Sequence, residues 1–554
     1  MQVFPLREAR RLHTRWTGRI SAVVVVVLLG AFLLTACQLN TTLGGSGGGS
    51  GSASLPSAAP VTWCETGLPT SPDTSPPAGA VSVPAGDDSN NVGQNFNLRP
   101  NTVYWFAPGT HTLGSGEFSS ISPDQGDVFV GAPGAVIDGQ NVNDFAFSSS
   151  NANVTIEYLT IEHFTAGSGE AVVGQDGTDG WTIKDDLIEN NPYGAGAALT
   201  TNGTITDNCL YNNGEYGYTA QGENGTEHDV TLTNNDIARN NSGGYYDVPG
   251  SKIQCGCSGG GKFWQTVNAT VTGNYIHDNV GPGIWVDTAN AGFNISGNYI
   301  ANNWGEGVMY EISYNAQITD NAFVGNAWGE VQTNAAPSFA VGAIYISNSG
   351  GDSRVASNYS GELSISGNNL SQNWGGIVLY QDANRICGFS PDGECTLVDP
   401  SVYTLSSCKA NITATSSPSQ NPDYYDNCQW KTQNVSVTHN TVSFDPSTLP
   451  NVMFSGATDT CASANANGNT LCGFMGLFSY YGQVGPFTGT EQDNAVSNLQ
   501  NNVFADNTYT GPVGFNGFNQ GNVASWSQWT SGFAYAGGGS FHAQDAGSTD
   551  NEET

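Results

Sequence analysis

Asp287 and Glu311 close two copies of one repeat. Across residues 271–313, Val271, Asn274, Ile276 and Asn279 recur as Ile295, Asn298, Ile300 and Asn303. Each half then turns through glycine into a second apolar run, which ends in Asp287 the first time and in Glu311 the second. If each copy is one rung of stacked parallel β-structure, the two carboxylates fall in register about 4.8 Å apart. Along GIWVD, Ile284 and Val286 face inward, leaving Trp285 and Asp287 outside. In GVMYE the outward pair is Met309 and Glu311, and Tyr310 belongs to the core. Like charges so close raise one pKa, which suits the paired carboxylates of a glycosidase or a cation site. Glu306 lies in the turn before the same strand. With Asp287 and Glu311 it would supply the oxygen ligands of a Ca²⁺ ion. The bland alternative is a solvated acidic ladder, or one ordered by calcium for stability alone.

Lys262 is the second candidate, set in GCSGGGKFWQT just before the Asp287 rung. Elimination across a uronate needs a base for the C5 proton and a positive group on the carboxylate. Lys262 would be the base, with Asp287, Glu306 and Glu311 holding the cation. Its register is open: aligning Thr266 with Thr288 turns Lys262 inward, whereas packing Phe263 inward turns Lys262 and Trp264 outward. Trp264, Trp285 and Tyr380 are the aromatic candidates for stacking on sugar rings. Trp304, Trp328 and Trp374 follow the second Asn of their rungs and read as a stacked turn column. His277 sits in a turn and carries no assigned role.

The element that must position these groups is an eleven-residue unit, seen as VTIEYLTIEHF (154–164), VTLTNNDIARN (230–240), ATVTGNYIHDN (269–279), FNISGNYIANN (293–303) and LSISGNNLSQN (363–373), among others. An apolar residue is followed three places later by a position that is usually Asn, five places later by another apolar residue and eight places later by a position that is usually Asn again. The alternation fits strands with one face buried. The recurrent Asn suits a bend, because Asn tolerates left-handed backbone and its amide can bond the same amide one rung away. The reading is an all-β parallel solenoid.

GAPGAVIDG, NVTIEYLTI and GNYIHDNVGPGIW resemble the right-handed parallel β-helix proteins, the superfamily of pectate lyases and polygalacturonases, over about residues 97–510. The resemblance implies a right-handed parallel β-helix with terminal caps. It also implies an extracellular polysaccharide as substrate class, and reacting groups on the outer face of one sheet. No downstream arginine pattern matches the pectate lyase signature.

The start of the chain, 1–37, reads as a signal peptide: five arginines, an apolar run over 20–34, and LTAC, which resembles a bacterial lipobox with Cys37 as the lipidated residue. Residues 38–96 read as a flexible Gly/Ser/Pro-rich linker and lead-in, 97–515 as the β-helix, and 516–554 as a C-terminal cap with a disordered acidic end. Of 14 lysines and arginines, nine follow Cys37, against a formal net charge of −34 for the whole chain. Such acidity excludes nucleic acid as a partner and leaves the lipid anchor as the one membrane contact. Ten cysteines besides Cys37 suit an oxidising exterior. Close spacing suggests the bridges Cys387–Cys395, Cys408–Cys428 and Cys461–Cys472, each clipping a loop. The function expected is that of a monomeric, exported carbohydrate-cleaving enzyme, a polysaccharide lyase or glycoside hydrolase, with an epimerase sharing the lyase's first step. The other class is a non-catalytic, glycan-binding or adhesive rod on a tether. A groove bounded by 241–268 and 374–434 favours the enzyme, a flat outer sheet the rod.

Overall fold

The computed structural model describes residues 58–551 apart from 94–97, 176, 178, 222–226, 245–257, 330–340, 383–384, 388–396, 399–401, 412–425, 448–472, 481–492, 520–522 and 535–538. Most rungs contribute one strand to each of three sheets in turn, so that consecutive rungs pair in parallel. The first, second and third sheets hold 13, 14 and 12 strands. The molecule is a right-handed parallel β-helix, the hand that parallel crossovers adopt.

Alternation along each strand decides what fills the interior. In the first sheet Ile205, Leu232, Val271, Ile295, Ile318 and Ile365 stack in register and are buried. In the third, Phe263, Val286, Tyr310, Ile346 and Leu379 form the matching inner column. Tyr310 is therefore core, and Phe263 settles the open register by facing inward.

Two asparagine ladders run through the bends. Asn208, Asn235, Asn274, Asn298, Asn321, Asn368, Asn440 and Asn507 form one, with every side chain bonded to the next. The second joins Asn191 to Asn373 through Asn213, Asn240, Asn279, Asn303 and Asn326. These asparagines do not supply the left-handed backbone expected of them. That conformation lies one residue earlier, at Asn234, Gly273, Gly297 and Asp320 (φ 56° to 66°). The preceding residue makes the turn because the ladder side chain must point inward to reach its neighbours.

Asp186 heads the first ladder where an asparagine would be expected. Its Oδ1 accepts the Leu159 amide at 2.7 Å, while Oδ2 is buried without a partner among the described residues. Burial pushes the Asp186 carboxyl well above the usual carboxylate range, with the Leu159 amide working against it and the neighbouring Asp185 adding to it. The native state thus holds a proton that the unfolded chain gives up above about pH 4. Stability falls as pH rises from there toward the folded pKa. Asp186→Asn supplies an amide where Oδ2 now sits. The substitution is expected to stabilise the fold by about 2 kcal/mol at neutral pH. The gain should shrink toward pH 4, as read from denaturation midpoints at both pH values.

Strand pairing begins at Val81–Val83 and Gly86–Asp87, inside the stretch read as lead-in. A short helix, Trp63–Thr66, lies further upstream against the second sheet. Trp63 Nε1 donates to Asn234 O, the Cys64 amide donates to Asp236 Oδ2, and Cys64 is disulfide-bonded to Cys209, a pairing the spacing did not suggest. His277 joins this anchor, with Nε2 at 3.0 Å from Asp236 and Nδ1 at 2.8 Å from Asp278. Burial works against the charged ring, but these bonds and charges outweigh it and raise its pKa to about 9. At the other end the helix Trp526–Ser531, with a Ser525–Gln528 capping box, seats Trp529 on Phe504, Phe515 and Phe541. The acidic end, expected to be disordered, pairs as Thr549–Asp550 on Thr508–Thr510.

Cys408 and Cys428 are bonded, as their spacing suggests. Cys387 is also disulfide-bonded. Cys37, Cys395, Cys461 and Cys472 lie outside the described residues.

Candidate active site

The outer face of the third sheet carries two columns. One runs Thr219, Lys262, Trp285, Met309, Tyr345; the other runs Trp264, Asp287, Glu311, Ser347, Tyr380. With Phe263 inward, Lys262 and Trp264 necessarily face out. Asp287 and Glu311 are directly paired on adjacent strands, as the repeat requires.

Lys262 reaches diagonally to the next rung, where its Nζ lies 2.9 Å from Asp287 Oδ2. The ammonium also sits 3.7 Å from the Trp285 ring centroid and 5.0 Å from that of Trp264. The two tryptophans thus form a cage for a cation, with ring faces already engaged, rather than bare sugar platforms. Trp285 is buried, and its Nε1 has no hydrogen-bond partner among the described residues.

Glu311 has its own cation. Arg385 Nη1 stands 3.1 Å from Glu311 Oε1, although the two are separated by 74 residues. The four side chains Lys262, Asp287, Glu311 and Arg385 are 6, 13, 7 and 23 % exposed, so the quartet is largely withdrawn from water. Burial raises the pKa of Glu311; Arg385 opposes that shift, Asp287 adds to it and Lys262 opposes it. Lys262 and Asp287 lie within proton-transfer distance, whereas Arg385 stays protonated and can act only through its charge.

Glu306 is buried in the bend leading into Val308–Glu311, where its carbonyl accepts the Gly283 amide, and does not stand in the outer column. Calcium fits this arrangement poorly. A hard cation needs several carboxylate oxygens turned toward it, and Asp287 and Glu311 each direct one at an organic cation instead. Tyr380 is buried against Tyr345 and Phe478, with centroids 6.1 and 5.5 Å away, inside an aromatic cluster that includes Trp328 and Trp374. Its ring is packing, not an open stacking surface.

Sequence reasoning missed Arg385, Glu215 and Tyr216. Glu215 is buried in the bend before Tyr216–Gln221, accepting hydrogen bonds from Ser168 Oγ (3.0 Å) and the Gly169 amide (2.7 Å). Burial pushes its carboxyl up to about 7, opposed by those bonds and by the charge of Lys262. Burial also raises the pKa of Tyr216, and the charges of Glu215 and Asp287 add to that shift, so its phenol keeps its proton. The signals were present: Gly214-Glu215 and Gly305-Glu306 open comparable bends, and Arg385 is one of nine cations after Cys37.

A model described as the right handed beta helix region matches residues 229–359. No curated protein matches the chain. Among solved structures, the chain is similar to the A-module of the Azotobacter vinelandii mannuronan C-5 epimerase AlgE4. Identity is 15 %, with 55 % of this chain and 83 % of that chain covered, at a TM-score of 0.33. It is similar to a mannuronic acid specific polysaccharide family 6 lyase from human gut microbiota at 12 % identity, covering 78 % and 82 % of the two chains, with a TM-score of 0.40. A third is the catalytic unit of an alpha-1,3-glucanase from Streptomyces thermodiastaticus, 12 % identical over 87 % and 70 % of the two chains, with a TM-score of 0.38. The stretch matched by the right-handed β-helix model contains the three strands that carry Lys262, Asp287 and Glu311.

Proposed function

We propose that the outer face of the third sheet is an active site that cleaves a polysaccharide, with Lys262 and Asp287, and Arg385 and Glu311, as its working pairs. The observation that carries this reading is the convergence of two scarce cations on two in-register carboxylates. Withdrawing two ion pairs from water costs about as much as their attraction returns, so stability alone is a weak reason for the arrangement. An elimination uses all four groups. Asp287 accepts a proton from Lys262, the freed amine removes the proton beside a substrate carboxylate, and Arg385, held by Glu311, neutralises the enolate that forms. The enolate then collapses to the double bond as the bond to the leaving oxygen breaks, and that oxygen takes the proton held on Asp287. Hydrolysis is the second reading, favoured by the raised pKa of Glu311: a protonated Glu311 would serve the leaving oxygen, and Asp287 would attack or activate water.

The deciding experiment is product analysis on a panel of uronate and neutral polysaccharides, with wild type and an Asp287→Ala/Glu311→Ala variant. Absorbance from an unsaturated sugar marks elimination; new reducing ends without it mark hydrolysis. No product from any substrate, with glycan binding intact in the double variant, leaves a non-catalytic binding rod. From the apolar run over 20–34 and the LTAC that follows it, we further infer that the protein is exported and held on a lipid anchor at Cys37. A Cys37→Ala chain should then move from the membrane fraction to the soluble exported fraction.

A further inference from the structure

Arg385 is the one member of the quartet that no sheet strand supplies. It follows Gly375–Asp382, three residues beyond the strand end, and its amide donates to Asp382 O. What holds it there is the chain immediately after it. Ile386 and Cys387 are buried in a small separate cluster with Cys408, Cys428 and Ala495, against which Leu397 and Tyr403 pack. Three of the five members of that cluster are half-cystines. The Cys387 amide donates to Cys428 O at 2.7 Å, and Cys428 is bonded to Cys408 in the helix Leu405–Asn411.

Cys428 is in turn fixed to the β-helix body by the residues that follow it. Trp430 packs on Tyr314, the Lys431 amide donates to Tyr314 Oη, and the Thr432 amide donates to Gln381 Oε1. A chain of contacts therefore runs from the body through Cys428 to Cys387 and Arg385. Five small side chains bury too little apolar surface to order such a segment unaided, so the covalent link supplies what packing does not.

We propose that the Cys408–Cys428 disulfide is a positioning element of the active site, holding the segment that presents Arg385 to Glu311. The inference rests on the reading of the quartet as catalytic only for its consequence in turnover; the placement itself can be tested without any substrate. In the full chain, Arg385→Gln and Glu311→Gln are combined in a double-mutant stability cycle, once with the disulfide intact and once in a Cys408→Ser/Cys428→Ser background. The expected result is a measurable coupling between Arg385 and Glu311 in the first cycle that vanishes in the second. Equal coupling in both backgrounds would overturn the proposal.

Turnover gives the second readout. The Cys408→Ser/Cys428→Ser variant should lose activity to the same extent as Arg385→Gln, by roughly 100-fold for a misplaced reacting group. Millimolar guanidinium should restore part of the activity in both, which a loss through global unfolding would not allow. If the serine variant fails to fold, Ile386→Ala keeps every disulfide and loosens the same cluster, and should weaken the Arg385–Glu311 coupling in the same direction. Ile386→Ala with undiminished coupling would also overturn the proposal. Should wild type cleave no polysaccharide, the active-site reading fails while the stability cycle still decides the role of the disulfide.

Discussion

Lys262→Met is expected to lower kcat/KM on the cleaved polysaccharide by about 10³-fold, the scale of a lost proton-transfer or charge-stabilising group. Methionine keeps the unbranched stem of the side chain between Trp264 and Trp285 and removes the terminal ammonium. The same change leaves Asp287 as an uncompensated, largely buried carboxylate, so the fold should lose about 3 kcal/mol as well. These two effects separate in the double variant Lys262→Met/Asp287→Asn. Its neutral amide needs no counter-charge, so stability should return to within about 1 kcal/mol of wild type while activity stays lost. Recovery of activity along with stability would show that Lys262 merely balances Asp287. Steady-state kinetics and denaturant midpoints on the three proteins decide the matter.

Asn298→Ala should weaken the ladder that runs between the first two sheets. Asn298 Oδ1 accepts from the Asn274 amide and from Asn274 Nδ2, both at 3.0 Å, while its Nδ2 donates to Val271 O at 2.9 Å and Asn321 Oδ1 at 3.0 Å. Alanine leaves four buried polar groups without this partner in a place water does not enter, and opens a small void. Asn274 Nδ2 keeps Leu232 O and Thr272 O, and Asn321 Oδ1 keeps the backbone amide of residue 298. At about 1–2 kcal/mol for each of the other two groups, the expected loss is about 3 kcal/mol, read as a lower denaturant midpoint. A loss under about 1 kcal/mol would mean that the ladder relaxes freely around gaps. Asn298 also sits between the rungs of Asp287 and Glu311, so the variant should misalign the two carboxylates and lose activity beyond what its unfolded fraction explains.

The β-helix was legible because its physics is periodic. A buried residue in one rung implies a buried residue at the same place in the next, and the columns from Ile205 to Ile365 and the ladders from Asn191 and Asn208 follow from that rule. The in-register pair Asp287 and Glu311 came with the period. Lys262 did not, since its strand follows an insertion, and only the burial of Phe263 fixes which way it points. Arg385 and the Cys64–Cys209 bridge lay beyond reach for another reason. They join parts of the chain that periodicity does not relate, across 74 and 145 residues. The aromatic residues failed in a third way. Their positions were sound, but Trp264 and Trp285 surround a lysine and Tyr380 packs in a cluster, so composition named the rings without their neighbours.

The bond between Cys64 and Cys209 has a mechanical meaning. A stack of parallel strands is weakest at its ends, where a pull on the terminus can strip one strand at a time from its single neighbour. Here tension applied upstream of residue 64 bypasses Val81–Val83 and arrives at Cys209–Tyr211, which has strands paired on both sides. Five strands of the second sheet precede that point and sit inside the covalent loop, shielded from the force. The loaded strand can leave only by breaking both of its ladders together, so a protein hung from its N-terminus would resist shear flow as one block.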